Sequence, residues 1–224
     1  MSKKKIFIAV DTNKITRAKR IIKDTQTNKI KVGYKFGLEF FYSKDGRKFL
    51  KNLKNQTIFL DLKLNDIPNT VVSAVKSLKN LKISYLTVHL SSGLSALKTL
   101  KKESKGIKIA GVTTLTSLNN KDLKEIGYNK KVNELVRHQA KLATKAKLDA
   151  IVCSGHEIRS VKKVFKKEII TPGIKIHSTK NDQKRIMKPE DAFAAGSDWL
   201  VIGRSITNGN IKKNIQNLLE ILED

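Results

Sequence analysis

Short runs of β-branched and other apolar residues recur along the chain, and polar segments separate them. Their near-continuous apolar character is typical of strands that are covered on both faces, as in parallel sheets. Glycine, aspartate or serine stands beside most of these runs and marks a boundary. The pattern predicts eight strands, at residues 5–10, 29–33, 57–63, 83–89, 106–112, 149–154, 168–173 and 198–203.

The segments between these runs carry apolar residues at helical spacing, as in "ITRAKRIIKD" (15–24) and "GLSALKTLKKE" (93–103). Further helices are predicted at 71–81, 132–146 and 157–167. Strands that alternate with helices favour an α/β protein with a compact (β/α)8 TIM barrel, and a doubly wound open sheet is the alternative. No Pro/Gly/Ser-rich linker interrupts the pattern. We therefore expect one (β/α)8 barrel domain over residues 1–224.

The first ten residues and the cysteine content indicate the compartment in which the protein is expected. The basic start "MSKKK" is followed by an apolar run at 6–10 that is too short for a signal peptide or a membrane span. The single cysteine, Cys153, cannot form an internal disulfide and fits a reducing compartment. These features predict a cytoplasmic protein that does not associate with membranes.

The formal net charge of +26 raises the possibility of nucleic-acid binding. However, the lysines are spread along the whole chain, and aromatic residues make up only 6% of it. No segment interleaves aromatic and basic residues as base-stacking surfaces do. We therefore expect no specific nucleic-acid partner, only weak and salt-sensitive binding.

Charged residues cluster where predicted strands end. Asp61 and Lys63 alternate on strand 3 and so point the same way, and Asp66 follows at the start of the next helix. If the chain is a barrel, Asp11 after strand 1 and Lys31 on strand 2 are expected at the same mouth. Charges that leave water need partners, so this cluster is either a structural ion-pair network or a catalytic one.

The stretch "DLKLNDIPNT" (61–70) resembles the D-x-K-x-x-D-I-P-N-T signature of the orotidine 5'-phosphate decarboxylase family. The resemblance continues in family order through "AVD", "IKVG", "GVTTLTS", "TPGI", "NDQKRIM" and "PEDAFAAGSDWLVIGRSIT", from about residue 6 to about residue 208. It implies a homodimeric (β/α)8 barrel in de novo pyrimidine biosynthesis. Such an enzyme converts orotidine 5'-monophosphate to UMP and CO2 with neither a metal nor an organic cofactor.

The resemblance also implies roles for individual residues. Lys31, Asp61, Lys63 and Asp66 match the family's charged tetrad, in which the lysine matching Lys63 protonates C6 of the pyrimidine. Asp66 and Thr70 match residues that reach the active site of the neighbouring subunit across the dimer interface.

Other positions match the family's substrate contacts. Asp11 matches the residue that binds the ribose hydroxyls, and Thr116 the one that contacts the pyrimidine. Gln183, Gly203 and Arg204 match the phosphate site.

Two departures from the family pattern bear on substrate contacts. Lys175 stands where many bacterial relatives have arginine, so a bidentate contact becomes a point charge. Asn65 stands where many have histidine. The polar stretch 175–185 is predicted to close over the ligand as a flap.

The implied reaction explains why charged residues are needed at this site. Loss of CO2 from C6 leaves a vinyl carbanion with no adjacent carbonyl, so its stabilisation must be electrostatic and prearranged. The alternative is a Mg²⁺-dependent sugar-phosphate decarboxylase or aldolase of the same superfamily, which also resembles D-x-K-x-x-D. Those enzymes place a carboxylate at the strand 2 position, where Lys31 is expected to repel a divalent ion.

Overall fold

The computed structural model describes residues 3–176 and 186–223. Eight parallel strands close into a barrel in sequence order, because the last strand pairs with the first. The predicted (β/α)8 fold is therefore confirmed. The strands are β1 Lys5–Ala9, β2 Lys31–Phe36, β3 Thr57–Leu64, β4 Tyr85–His89, β5 Lys108–Val112, β6 Ala150–Val152, β7 Glu168–Thr171 and β8 Trp199–Ile202.

Helices surround the barrel, and their apolar faces pack against the outside of the strands. The helix α1 begins and ends as predicted, and its buried residues Ala18, Ile21 and Ile22 share one face. Within the described residues, no helix is both long and apolar enough to cross a membrane. The helices are α1 Ile15–Asp24, α2 Leu38–Tyr42, α3 Gly46–Asn52, α4 Pro68–Ser77, α5 Gly93–Glu103, α6 Asn120–Glu125, α7 Val132–Lys145, α8 Ile158–Lys162, α9 Pro189–Ala194, α10 Arg204–Thr207 and α11 Ile211–Glu223, with 3₁₀ turns at Leu90–Ser92 and Gly155–Glu157.

Aromatic side chains fill the lower part of the barrel interior. The rings of Phe7 and Trp199 stack with centroids 4.0 Å apart, and Phe59 and Tyr85 pack around them. All four side chains are buried. The interior is thus a packed core in its lower half, as in other barrels, and the space for a ligand lies at the carboxyl ends of the strands.

A polar cluster closes the opposite, amino-terminal mouth. Glu168 accepts hydrogen bonds from Lys108 and from the Tyr85 hydroxyl, each at 2.8 Å, and Lys5 lies 3.4 Å away. Burial and the hydrogen bond to Glu168 raise the pKa of Tyr85 to about 12. Burial alone would raise the pKa of Glu168, but the hydrogen bonds from Lys108 and Tyr85 and the positive charges of Lys108 and Lys5 together outweigh it, and the net pKa is lowered. The cluster therefore holds a charged carboxylate on the floor of the barrel.

Strand β2 runs three residues beyond its predicted end at Gly33. A Cβ atom at Gly33 would lie 2.7 Å from the Phe7 ring and 2.8 Å from the Thr57 carbonyl oxygen, so this inward position requires glycine. Inward positions on β2 are therefore Lys31 below Gly33 and Lys35 above it.

The prediction that Lys31 lies at the carboxyl-terminal mouth is wrong. Lys31 is the first residue of β2, paired in register with Lys5, and its Nζ lies 5.7 Å from the centroid of the Trp199 ring. The sequence repeats a K-x-G pattern four residues later, at Lys35 and Gly37. A strand that ended at Gly33 would put the first copy at the mouth, but β2 continues to Phe36 and puts the second copy there.

Candidate functional site

A cavity of about 480 Å³ opens at the carboxyl ends of the strands, a size within the range of small-molecule sites. Its walls come from six of the strands and from the loops that follow them. Its floor is apolar, with Ala9, Phe59 and Val201 facing upward from the barrel core. An apolar floor beneath a charged rim gives a site in which electrostatic interactions are less screened than in water.

Asp61 and Lys63 form the centre of the charged rim. Nζ of Lys63 donates a hydrogen bond to Oδ2 of Asp61 at 2.8 Å. The Asp61 side chain is 14% exposed and that of Lys63 33% exposed. Both side chains line the cavity, as predicted from the sequence. A largely buried carboxylate that is paired in this way holds the ammonium in one direction.

Lys35 extends this pair into a row of alternating charges. Its Nζ lies 3.0 Å from Oδ1 of Asp11 and 3.8 Å from Oδ2 of Asp61. The side chain of Lys35 is only 13% exposed. The row Asp11, Lys35, Asp61 and Lys63 therefore places two ammonium groups and two carboxylates along one wall of the cavity.

The backbone of β3 is irregular where it carries these charges. Leu60 pairs with Leu86, but Leu64 pairs with Val88, so three residues of β3 lie opposite a single residue of β4. Lys63 lies within this irregularity and has a φ of +50°. Such a left-handed conformation is uncommon for a residue other than glycine and is found preferentially at functional sites.

His89 and Cys153 lie near the charged row without joining it. Burial and the nearby charge of Lys63 lower the pKa of His89, which ends β4. Burial raises the pKa of the Cys153 thiol, although Cys153 lines the cavity. A neutral imidazole and a protonated thiol are therefore expected at pH 7. In the described part of the chain, no group of three or more His, Cys, Asp or Glu residues is arranged to hold a metal ion.

Several predicted substrate-binding residues do line the cavity. Lys175 follows β7, and its backbone N–H donates to the Met187 carbonyl, which joins the two sides of the loop. Gln183 and most of the predicted flap at 175–185 lie outside the described residues. The other predicted residues in the lining are Asp11, Thr116, Gly203 and Arg204.

Asp66 and Thr70 do not line the cavity of their own chain. Both are exposed, and Oδ1 of Asp66 accepts a hydrogen bond from the Ile67 N–H at 2.7 Å. The Ile67 side chain beside them is 67% exposed. Two residues that were predicted to serve a neighbouring subunit therefore flank an exposed apolar residue. Asn65, in the same loop, accepts a hydrogen bond from Ser92 at 2.9 Å.

Sequence analysis missed two residues of this site. Lys35 was hidden by the repeated K-x-G pattern, although the apolar residues Tyr34 and Phe36 signal that the strand continues past Gly33. Thr87 is fully buried on β4 and bonds to both Asp61 and Lys63. In the sequence, Thr87 appears only as a hydroxyl residue between Leu86 and Val88, which does not by itself indicate a role.

Comparison with known proteins gives a consistent result. Residues 4–214 match the model of the orotidine 5'-phosphate decarboxylase / HUMPS family. The chain is 40% identical to the orotidine 5'-phosphate decarboxylase of Wolbachia pipientis subsp. Culex pipiens, over 98% of this chain and 99% of that protein. It is 36% identical to the enzyme of the same name from Carboxydothermus hydrogenoformans, over 98% and 96% of the two chains.

A solved structure shows the same fold. The crystal structure of orotidine 5'-phosphate decarboxylase from Lactobacillus acidophilus superposes with a TM-score of 0.83 at 28% identity. The match covers 97% of this chain and 98% of that one.

Proposed function

The chain belongs to the orotidine 5'-phosphate decarboxylase / HUMPS family, and we infer from this membership that it decarboxylates orotidine 5'-monophosphate to UMP and CO2. It is thus a carboxy-lyase of pyrimidine biosynthesis. The structural observation that best supports this function is the row of alternating charges, Asp11, Lys35, Asp61 and Lys63, along one wall of the cavity.

In the proposed mechanism, C6 of the pyrimidine lies beside Lys63. Cleavage of the bond between C6 and the carboxylate leaves the electron pair on C6 and releases CO2. The Lys63 ammonium stabilises the developing carbanion and then transfers its proton to C6, which gives UMP. Because this charge is already in place before the reaction, little reorganisation is needed as the carbanion forms.

Asp61 and Lys35 orient the proton donor. Asp61 accepts from Nζ of Lys63 at 2.8 Å, and Lys35 lies on its other side at 3.8 Å. The substrate carboxylate placed beside Asp61 would be repelled, and this repulsion would be relieved as CO2 leaves. We assign to Lys35 the place in the charged tetrad that the sequence led us to give to Lys31.

The remaining lining residues would bind the rest of the substrate. Asp11 would accept hydrogen bonds from the ribose hydroxyls, and Thr116 would contact the pyrimidine. Lys175, Gly203 and Arg204 would hold the phosphate, together with Gln183. Three of these phosphate-binding residues line the described cavity, at the loops after β7 and β8, where barrels often bind phosphate.

A second copy of the chain would complete the site. Asp66 and Thr70 are exposed and lie outside the cavity of their own chain, next to the exposed Ile67. In the proposed cytoplasmic homodimer, these two side chains enter the partner's active site and Ile67 is covered. The exposure of both residues in the single chain supports this arrangement.

The Mg²⁺-dependent sugar-phosphate enzymes are the second candidate, since they share the D-x-K-x-x-D pattern. The position of Lys35 argues against them. Its ammonium lies between Asp11 and Asp61, the two carboxylates that a divalent ion would need at this wall. A bound cation there would face an existing positive charge that lies 3.0 Å from Oδ1 of Asp11 and 3.8 Å from Oδ2 of Asp61.

Absorbance measurements on purified protein test the proposal. We expect orotidine 5'-monophosphate to be converted to UMP in the presence of EDTA. The proposal would be overturned if the folded protein left this substrate unchanged and instead turned over sugar phosphates only after Mg²⁺ was added.

A further inference from the structure

A single hydroxyl joins the two central residues of the charged row. Oγ1 of Thr87 accepts a hydrogen bond from the backbone N–H of Lys63 at 2.7 Å and donates one to Oδ1 of Asp61 at 3.0 Å. The Thr87 side chain is fully buried. Both hydrogen-bonding roles of this hydroxyl are thus used by the residues that carry the proposed chemistry.

The hydroxyl takes the place of a regular backbone partner. In an undisturbed parallel ladder, the N–H groups of alternate β3 residues would donate to carbonyl groups of β4. Here β3 carries two extra residues between its paired positions, and the Lys63 N–H donates to a side chain of β4 instead. The Thr87 hydroxyl therefore satisfies a part-buried donor at a point where β3 and β4 have no paired residues.

This contact also holds an unfavourable backbone conformation. Lys63 has a φ of +50°, which persists only where the surroundings enforce it. The direction of the Lys63 side chain depends on that conformation, and the direction of Asp61 depends on the second hydrogen bond of Thr87. One side chain thus fixes both the donor of the proton and the carboxylate that aims it.

We propose that Thr87 is a positioning residue of the decarboxylase site, and that its hydroxyl, not its methyl group, sets the relative placement of Asp61 and Lys63. This inference rests on the proposed function. Thr87 is not part of the cavity wall, so its loss should affect the chemical step more than substrate binding.

Three variants separate the hydroxyl from the methyl group. Thr87→Val keeps the shape and removes the hydroxyl, and we expect kcat to fall about 10- to 100-fold because small displacements of reacting groups cost rates of this order. Thr87→Ser keeps the hydroxyl and should retain kcat within about 3-fold of wild type. KM and the binding of UMP should change by less than about 3-fold in both variants.

Thr87→Ala, compared with Thr87→Ser, provides the same test if Thr87→Val does not fold. Thermal unfolding of every variant identifies loss of the fold. Equal kcat in the folded Thr87→Val variant and the wild-type protein would overturn the proposal, as would equal losses of kcat in Thr87→Ser and Thr87→Ala. A wild-type protein that does not convert orotidine 5'-monophosphate would overturn the proposed function itself, before any variant is compared.

Discussion

Nζ of Lys63 lies 2.8 Å from Oδ2 of Asp61, although a charged pair of this kind loses much of its hydration at the rim of a barrel. The ammonium is therefore fixed before any substrate enters. Replacing Asp61 by asparagine would keep an oxygen for Thr87 and remove the charge that aims Lys63.

We expect Asp61→Asn to lower kcat by about 10²- to 10³-fold, the range typical of a lost electrostatic or acid–base contribution. Steady-state kinetics with orotidine 5'-monophosphate provide the measurement. Asp149→Asn is a suitable comparison because Asp149 also pairs with a lysine, Lys101 at 2.7 Å, but lies outside the cavity. A variant Asp61→Asn with wild-type kcat would show that this charge has no role in turnover.

Lys31 and Lys35 provide a matched pair on one strand. Both face the barrel interior, but Lys35 contacts Asp11 and Asp61 whereas Lys31 lies over Trp199 at the opposite end. We predict that Lys35→Ala lowers kcat/KM by at least about 10²-fold, because two carboxylates lose the cation between them.

Lys31→Ala should leave kcat/KM within about 2-fold of wild type, as expected for a substitution far from the site. The two variants are compared in the same assay. The reverse order of activities would restore Lys31 to the tetrad and contradict the placement of β2.

Asp66 tests whether the site is shared between subunits. Asp66→Asn alone should be severely impaired, because in the proposed dimer this carboxylate enters the partner's site. Mixing inactive Lys63→Ala with Asp66→Asn should restore activity, since a mixed dimer has one site with neither substitution.

Random exchange of subunits predicts recovery of about a quarter of the wild-type activity, because half of the dimers are mixed and each has one intact site. The activity of the mixture is followed after subunits have been allowed to exchange. If exchange is shown by a size or label assay and no activity returns, Asp66 acts within its own chain.

Glu168 at the amino-terminal mouth predicts a pH-dependent stability. Its pKa is lowered in the folded state, so it contributes stability above its unfolded pKa, and this contribution is lost as the pH falls through the folded value. Glu168→Gln should reduce the free energy of unfolding at pH 7 by about 1 to 2 kcal/mol, because hydrogen bonds from Lys108 and Tyr85 to a charge are weakened.

The difference from wild type should begin to shrink near about pH 4, where the carboxyl becomes protonated in the unfolded chain, and should disappear only below the lowered pKa of the folded state. Urea unfolding of the variant and of the wild type between pH 7 and pH 3 measures this difference in stability. Glu125→Gln is the control, since Glu125 is 62% exposed and only 3.9 Å from Lys121. A stability difference that is the same at pH 7 and pH 3 would show that the charge of Glu168 is not its source.

The sequence was sufficient to predict the barrel because strands covered on both faces leave a strong apolar signal. It also placed Asp61 and Lys63 together, although in the structure the irregular backbone of β3, and not regular alternation, sets the direction of Lys63. Lys31 was misplaced because the choice between two lysines depends on where β2 ends, and the close packing of Gly33 against Phe7 is not visible in the sequence.

Thr87 could not be identified from local pattern, because its role depends on an irregularity between β3 and β4. The exposure of Asp66 and Thr70 likewise depends on the position of the loop relative to the cavity. Such features arise from contacts between elements distant in the chain, and sequence periodicity does not report them.

The most direct test of the proposed mechanism is the turnover of orotidine 5'-monophosphate by Lys63→Ala in EDTA, with Lys213→Ala on α11 as the exposed control. We predict that kcat falls by on the order of 10⁴-fold or more, because the stabilising charge and the proton donor are lost together, while UMP still binds and the control keeps wild-type activity. A folded Lys63→Ala variant with a rate within tenfold of wild type would contradict the assignment of Lys63 as the proton donor.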